Sequence, residues 1–184
     1  MNDHKSLSRR TLARMLACDI LYQMDLTGES MEKVADDFES MLREGIDETP
    51  APPENIPDIS LEQVRLFLGG EARIEELVSF GSQSLAYPEN LPAFSRELVS
   101  AYHENREEID VLIGAYADRW SLQRMPMVDR NLLRLSFVEL LYREDIPTNV
   151  TINEYLELAK IFSTEESGKF INGVLGKLVK EKHL

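Results

Sequence analysis

Residues 127–143 read MVDRNLLRLSFVELLYR and are the most apolar run in the chain. Val128, Leu132, Leu133, Leu135, Phe137, Leu140 and Leu141 leave little room for a solvent face, so the run predicts a central helix covered by its neighbours. Asp145-Ile146-Pro147 ends it. The next start is marked by a capping box, Thr151 with Glu154, and by a staple from Val150 to Tyr155. This helix continues through Leu156, Leu158, Ala159 and Phe162. Ser163 with Glu166 reads as a further cap or turn. The last helix runs to about Lys180 with Phe170, Ile171, Val174, Leu175 and Leu178 inward. Gly168, Gly173 and Gly176 are unfavourable inside a helix, which predicts close approach of this helix to a neighbour.

Working outward to the N-terminal side, Leu98, Tyr102, Ile109, Leu112, Ile113 and Tyr116 predict one helix of five or six turns from about Ala93. Trp120 falls in the connection that Pro126 closes. Near the start of the chain, Leu12, Leu16 and Ile20 recur at every fourth residue. They predict a helix from about Ser8 to Leu26, stopped by Gly28. A second amphipathic segment from about Ser30 to Arg43 sets Met31, Val34, Ala35 and Phe38 on one face. The stretch Gly45–Ile59 then carries Pro50, Pro52, Pro53 and Pro57 among acids and predicts an exposed loop. Ser60 with Gln63 opens a further helical segment, and the region as far as Tyr87 reads as an insertion. Strand-like runs are nearly absent and helix formers dominate, so the expectation is a single all-α domain over residues 1–184.

At 184 residues and 43% hydrophobic content, the chain can bury a core without disulfides or a structural metal. Cys18, the one cysteine, sits among apolar residues and reads as a buried thiol. His4, His103 and His183 lie far apart, beside no metal-spaced partner, so no metal site is expected. No apolar stretch reaches the ~18 residues of a membrane span, and no signal peptide is evident; the expected location is the cytoplasm. Motifs for nucleophilic, phosphate-loop, zinc-hydrolase or dinucleotide chemistry are missing, and pairs such as Glu75-Glu76 and Glu165-Glu166 are those expected of solvated helices. The chain reads as a binding module with no catalytic residue and no cofactor.

The net charge of −13 opposes nucleic-acid binding over most of the surface, but it is unevenly spread. Lys5, Arg9, Arg10 and Arg14 face only Asp3 in the first fourteen residues. Lys169, Lys177, Lys180 and Lys182 gather near the other end. Arg10 and Arg14, four apart, share a helix face. Guanidinium groups so arranged suit phosphates, and equally suit pairing with the acidic second helix.

Four segments resemble a known family. SRRTLAR from Ser8, leading to Ile20-Leu21-Tyr22, is similar to the arginine-rich opening of NusB. The run from Trp120 to Pro147, then VTINEYLELAKIF from Val150 and SGKFINGVLGK from Ser167, resembles its C-terminal signature. The resemblance implies a compact bundle of about seven helices in two small helical subdomains, acting in transcription antitermination. It implies partners as well: the boxA element of nascent ribosomal RNA transcripts, the ribosomal protein NusE, and the RNA polymerase antitermination complex. By motif match, Arg9, Arg10 and Arg14 fall in an RNA-facing arm with Lys5 leading into it. Glu166, Ser167, Lys169 and Phe170 match a second segment near RNA, Phe170 being a candidate for base stacking or for the core. Tyr22 and Asp129 match positions implicated in the NusE contact. Met15 departs from the family's usual glutamate. Two other readings stand beside this one. One is a NusB-like interaction module without RNA binding, working as a homodimer or inhibitor. The other is a fragment of an RNA methyltransferase that carries the same helical domain.

Overall fold

A computed structural model describes residues 9–47, 93–118 and 120–184. Lys5, the proline-rich loop and the insertion to Tyr87 lie outside the described residues, apart from residues 45–47, which close the second helix. Among the described residues there are seven α-helices and no strand. They are α1 (Arg9–Thr27), α2 (Met31–Asp47), α3 (Ala93–Glu104), α4 (Arg106–Tyr116), α5 (Met127–Tyr142), α6 (Thr148–Phe162) and α7 (Glu165–Lys182), with one 3-10 turn at Leu122–Arg124. The chain divides into two compact units, Met1–Arg96 and Glu97–Leu184, the division falling within α3.

In the first unit α1 is buried around most of its circumference. Leu12, Ala13, Met15, Leu16, Ala17, Cys18, Ile20 and Leu21 are all in the core, which α2 joins through Val34, Ala35 and Phe38. Gly28 ends α1 at φ +73°, and its N–H donates to the Met24 carbonyl at 3.0 Å. Ser30 caps α2, its Oγ accepting from the Lys33 N–H. The start of α3 is tied to α1 by the Ser95 hydroxyl, which donates to the Ala13 carbonyl at 2.7 Å. Asp19 is the exception on α1. Among the described residues its buried Oδ2 has no hydrogen-bond partner, and burial pushes the carboxyl from 3.8 up to about 7.

In the second unit α5 is the centre, packed by α4, α6 and α7, with α6 and α7 forming an antiparallel hairpin. Every residue from Asn131 to Glu139 is buried. Two of the polar residues there, Arg134 and Glu139, are answered by neighbouring helices, while Ser136 bonds to the Leu133 carbonyl of its own helix. Arg134 grips Asp110 of α4 with two bonds, Nε to Oδ1 at 2.9 Å and an Nη to Oδ2 at 2.8 Å, and lies over the Tyr102 ring of α3. Glu139 accepts from the Thr151 hydroxyl at 3.1 Å and the Tyr155 hydroxyl at 3.0 Å, both on α6.

Three local expectations change. The single helix predicted from Ala93 is two, because the Asn105 side chain turns back to the Ala101 carbonyl at 2.8 Å and the chain restarts at Arg106. The start of α6 lies at Thr148, behind Pro147, and the Thr151 hydroxyl serves Glu139 instead of a cap. The glycines of α7 make no close approach, since a Cβ at Gly168, Gly173 or Gly176 would meet nothing within 4 Å.

Two outcomes follow. Thr151→Val leaves a Glu139 oxygen without this donor, and we expect a loss of about 1–2 kcal/mol in chemical denaturation; an unchanged midpoint contradicts the pairing. For Asp19 the folded chain binds the proton more tightly than the unfolded chain does. Its contribution is therefore fully present below 3.8 and fades as pH climbs through about 7. Asp19→Asn should flatten that part of the stability-against-pH curve, and an unaltered slope would refute the assignment.

Candidate nucleic-acid interface

Two groups of candidate residues occur, one in each unit. In the first, Arg10 and Arg14 converge on one ring: their guanidinium carbons lie 5.2 and 5.4 Å from the centroid of Phe94, in the first turn of α3. Their roles divide by burial. Arg10 is exposed. Arg14 is 1% exposed and is spent within the unit, its stem packed in the core of α1. Charge reversal at Arg14 would therefore disturb the core of the unit, whereas at Arg10 it acts at an exposed position and removes one of the two cations over Phe94. Arg9 opens α1, and its side chain lies outside what is described, as does Lys5. Tyr22 is half-buried, two turns after Arg14 on the same helix.

The second group is built on Asp129, in the first turn of α5. Its carboxylate is buried and accepts two hydroxyls from the α6–α7 connection, Ser163 Oγ to Oδ1 at 2.6 Å and Ser167 Oγ to Oδ2 at 2.7 Å. The two hydroxyl oxygens lie 2.9 Å apart. This clip fixes the turn before α7. Thr164 caps the helix, its Oγ1 accepting from the Ser167 N–H at 3.2 Å, so Ser167 is held from its backbone and its side chain at once. Asp129 thus meets Ser167 directly, and its carboxylate faces inward to the serines.

Beyond the clip the residues turn outward. Glu166 and Lys169 are exposed, and the Lys169 ammonium lies 3.1 Å from both Glu165 and Glu166, which hold its pKa above the ordinary lysine value, Glu165 first. Phe170 is half-buried, its ring centroid 6.0 Å from that of Trp120 at an interplanar angle of 52°. On the same side of α7, Lys177 donates to the Tyr116 carbonyl at 3.2 Å and pairs with Asp118.

Sequence reasoning missed three contributors. Ser163 carried a signal, its spacing of four from Ser167 across a helix start. Phe94 carried none, because its arginine partners are on another helix far away in sequence. Trp120 was placed only in a connection. Among the described residues no group of three or more His, Cys, Asp or Glu is gathered where it could hold a metal, and no helix is long and apolar enough to cross a membrane.

Comparison with known proteins points one way. The NusB family model matches residues 71–180, a span that begins inside the stretch read above as an insertion. The transcription antitermination protein NusB of Desulfitobacterium hafniense is 38% identical over 173 residues, covering 94% of this chain and 88% of that protein. Its counterpart in Heliobacterium modesticaldum is 49% identical over 118 residues, which are 63% of this chain and 57% of the relative. Among solved structures, one of the antitermination factors NusB and NusE in complex with double-stranded RNA shares the fold, with a TM-score of 0.60 and 24% identity over 94% of this chain and 97% of that one.

Proposed function

From the premise that this chain belongs to the NusB family of transcription antitermination proteins, we propose that it binds boxA-type RNA together with NusE and so supports ribosomal RNA transcription. In this reading it is a cytoplasmic adaptor of the RNA polymerase antitermination complex and has no catalytic role. The observation that carries the reading is the Asp129 clip, which holds the start of α7 in a fixed conformation, with Lys169 exposed and Phe170 half-buried against Trp120. A preformed turn of this kind lets RNA bind without first ordering the protein. A structure of the same fold that holds NusB, NusE and RNA supports the choice of partners.

The electrostatics explain why NusE is needed. At −13 the chain repels phosphates on average. Lys169 must exchange two surface glutamates for a phosphate, a small change because solvent screens exposed ion pairs. Arg10 is the arm residue assigned to phosphate, with Arg9 and Lys5 assigned beside it by motif. Arg14 acts behind it by holding Phe94. Tyr22 and Asp129 are the residues we assign to NusE by motif, and Asp129 also holds the RNA segment of its own unit through its serines.

Arg10→Glu tests the arm. With labelled boxA RNA and NusE, fluorescence anisotropy should show weaker binding and a salt dependence shallower by about one phosphate contact, with helicity unchanged. Unaltered affinity in this variant removes the arm from the interface. Absence of RNA binding by the unmodified chain, at low salt and with NusE, would leave the protein-interaction module instead.

A further inference from the structure

The connection between α4 and α5 exposes the chain's single tryptophan. Trp120 is 52% exposed, although it is the side chain with most to gain from burial. The core does not need it, because Ile171, Val174, Leu175 and Leu178 already fill the inner face of α7. Instead its ring meets Phe170 at 6.0 Å, tilted by 52°. Three residues beyond Phe170, and so beside it on the helix, Gly173 is exposed, and a Cβ there would meet nothing within 4 Å. A flat group laid against the two rings meets bare backbone at that point. Lys169 and Lys177 stand on either side along α7, the latter anchored to the turn that leads to Trp120.

We propose that Trp120 and Phe170 together form a stacking surface for an unpaired base of single-stranded RNA, with Trp120 as a binding residue in its own right. The proposal rests on the RNA-binding reading above and extends it to a residue outside the segment that carried that reading. Aromatic faces accept any base, and cations at their margin take the adjoining phosphates. A protein partner's hot spot would instead be ringed by further apolar side chains that exclude water, and here Lys169, Gly173 and Lys177 follow one another along α7 around Phe170.

Because Trp120 is the only tryptophan, its emission reports directly on stacking. The full-length chain is mixed with NusE and titrated with a short single-stranded boxA RNA. Emission is corrected against a Trp120→Phe sample, and affinity is read in parallel by anisotropy. RNA should quench the emission, and the same sequence as a duplex should quench it less. Trp120→Ala should weaken binding by about ten- to a hundredfold. Trp120→Phe should stay within a few-fold of the unmodified chain, and circular dichroism should be unchanged in both. Equal RNA affinity in Trp120→Ala together with unquenched emission overturns the stacking surface while leaving the RNA-binding reading in place. An emission change on adding NusE alone, with none from RNA, assigns the face to protein and also overturns it. No RNA binding by the unmodified chain removes the reading and this proposal together.

Discussion

The second unit depends on the fact that α5 has no solvent side from Asn131 to Glu139 and yet carries Asn131, Arg134, Ser136 and Glu139 within that span. A buried polar group left without a partner costs on the order of 1–3 kcal/mol, more when charged, so the surrounding helices must bring the partners. Arg134 fixes α4 through Asp110 and reaches the ring of Tyr102 on α3. Ser136 returns its proton to the Leu133 carbonyl, and Glu139 fixes α6 through Thr151 and Tyr155. Apolar packing tolerates small slides of one helix past another; directed hydrogen bonds do not. The polar groups of the central helix therefore set the register of the unit around it.

Asp129, at the first turn of the same helix, extends this logic to function. Its two serine partners belong to the α6–α7 connection, so a buried polar residue of α5 also shapes the start of α7. That one buried carboxylate connects the core to the surface where Lys169, Phe170 and Trp120 are displayed. In the first unit Phe94 does the corresponding work, holding two guanidinium groups of which Arg10 alone is exposed. In the proposed RNA-binding reading, this is how an acidic protein offers a few well-held cations, and NusE supplies the rest of the attraction.

Much of this was legible in the sequence. The apolar run at 127–143 announced a surrounded helix, and it is one. Gly28 marked an end that the structure keeps, while Pro147 stands at the start of α6 and the central helix stops earlier, at Tyr142. What could not be read were choices between two local uses of the same side chain. Asn105 breaks a helix by bonding back to Ala101, and Thr151 prefers a distant glutamate to a cap. The burial of Arg14 was hidden for a similar reason, since helical spacing places it beside Arg10 but says nothing of the aromatic ring brought to it from another helix. The glycines of α7 were read as a close-packing signal, whereas two of them, Gly173 and Gly176, are exposed.

The most direct test of the account is terminator read-through in a purified transcription system. It would contain bacterial RNA polymerase, NusE and the remaining antitermination factors, with a template carrying boxA upstream of the terminator. The account predicts more full-length transcript when this chain is added to the intact template, and no gain when boxA is scrambled. Equal read-through with and without the chain on the intact template would contradict it.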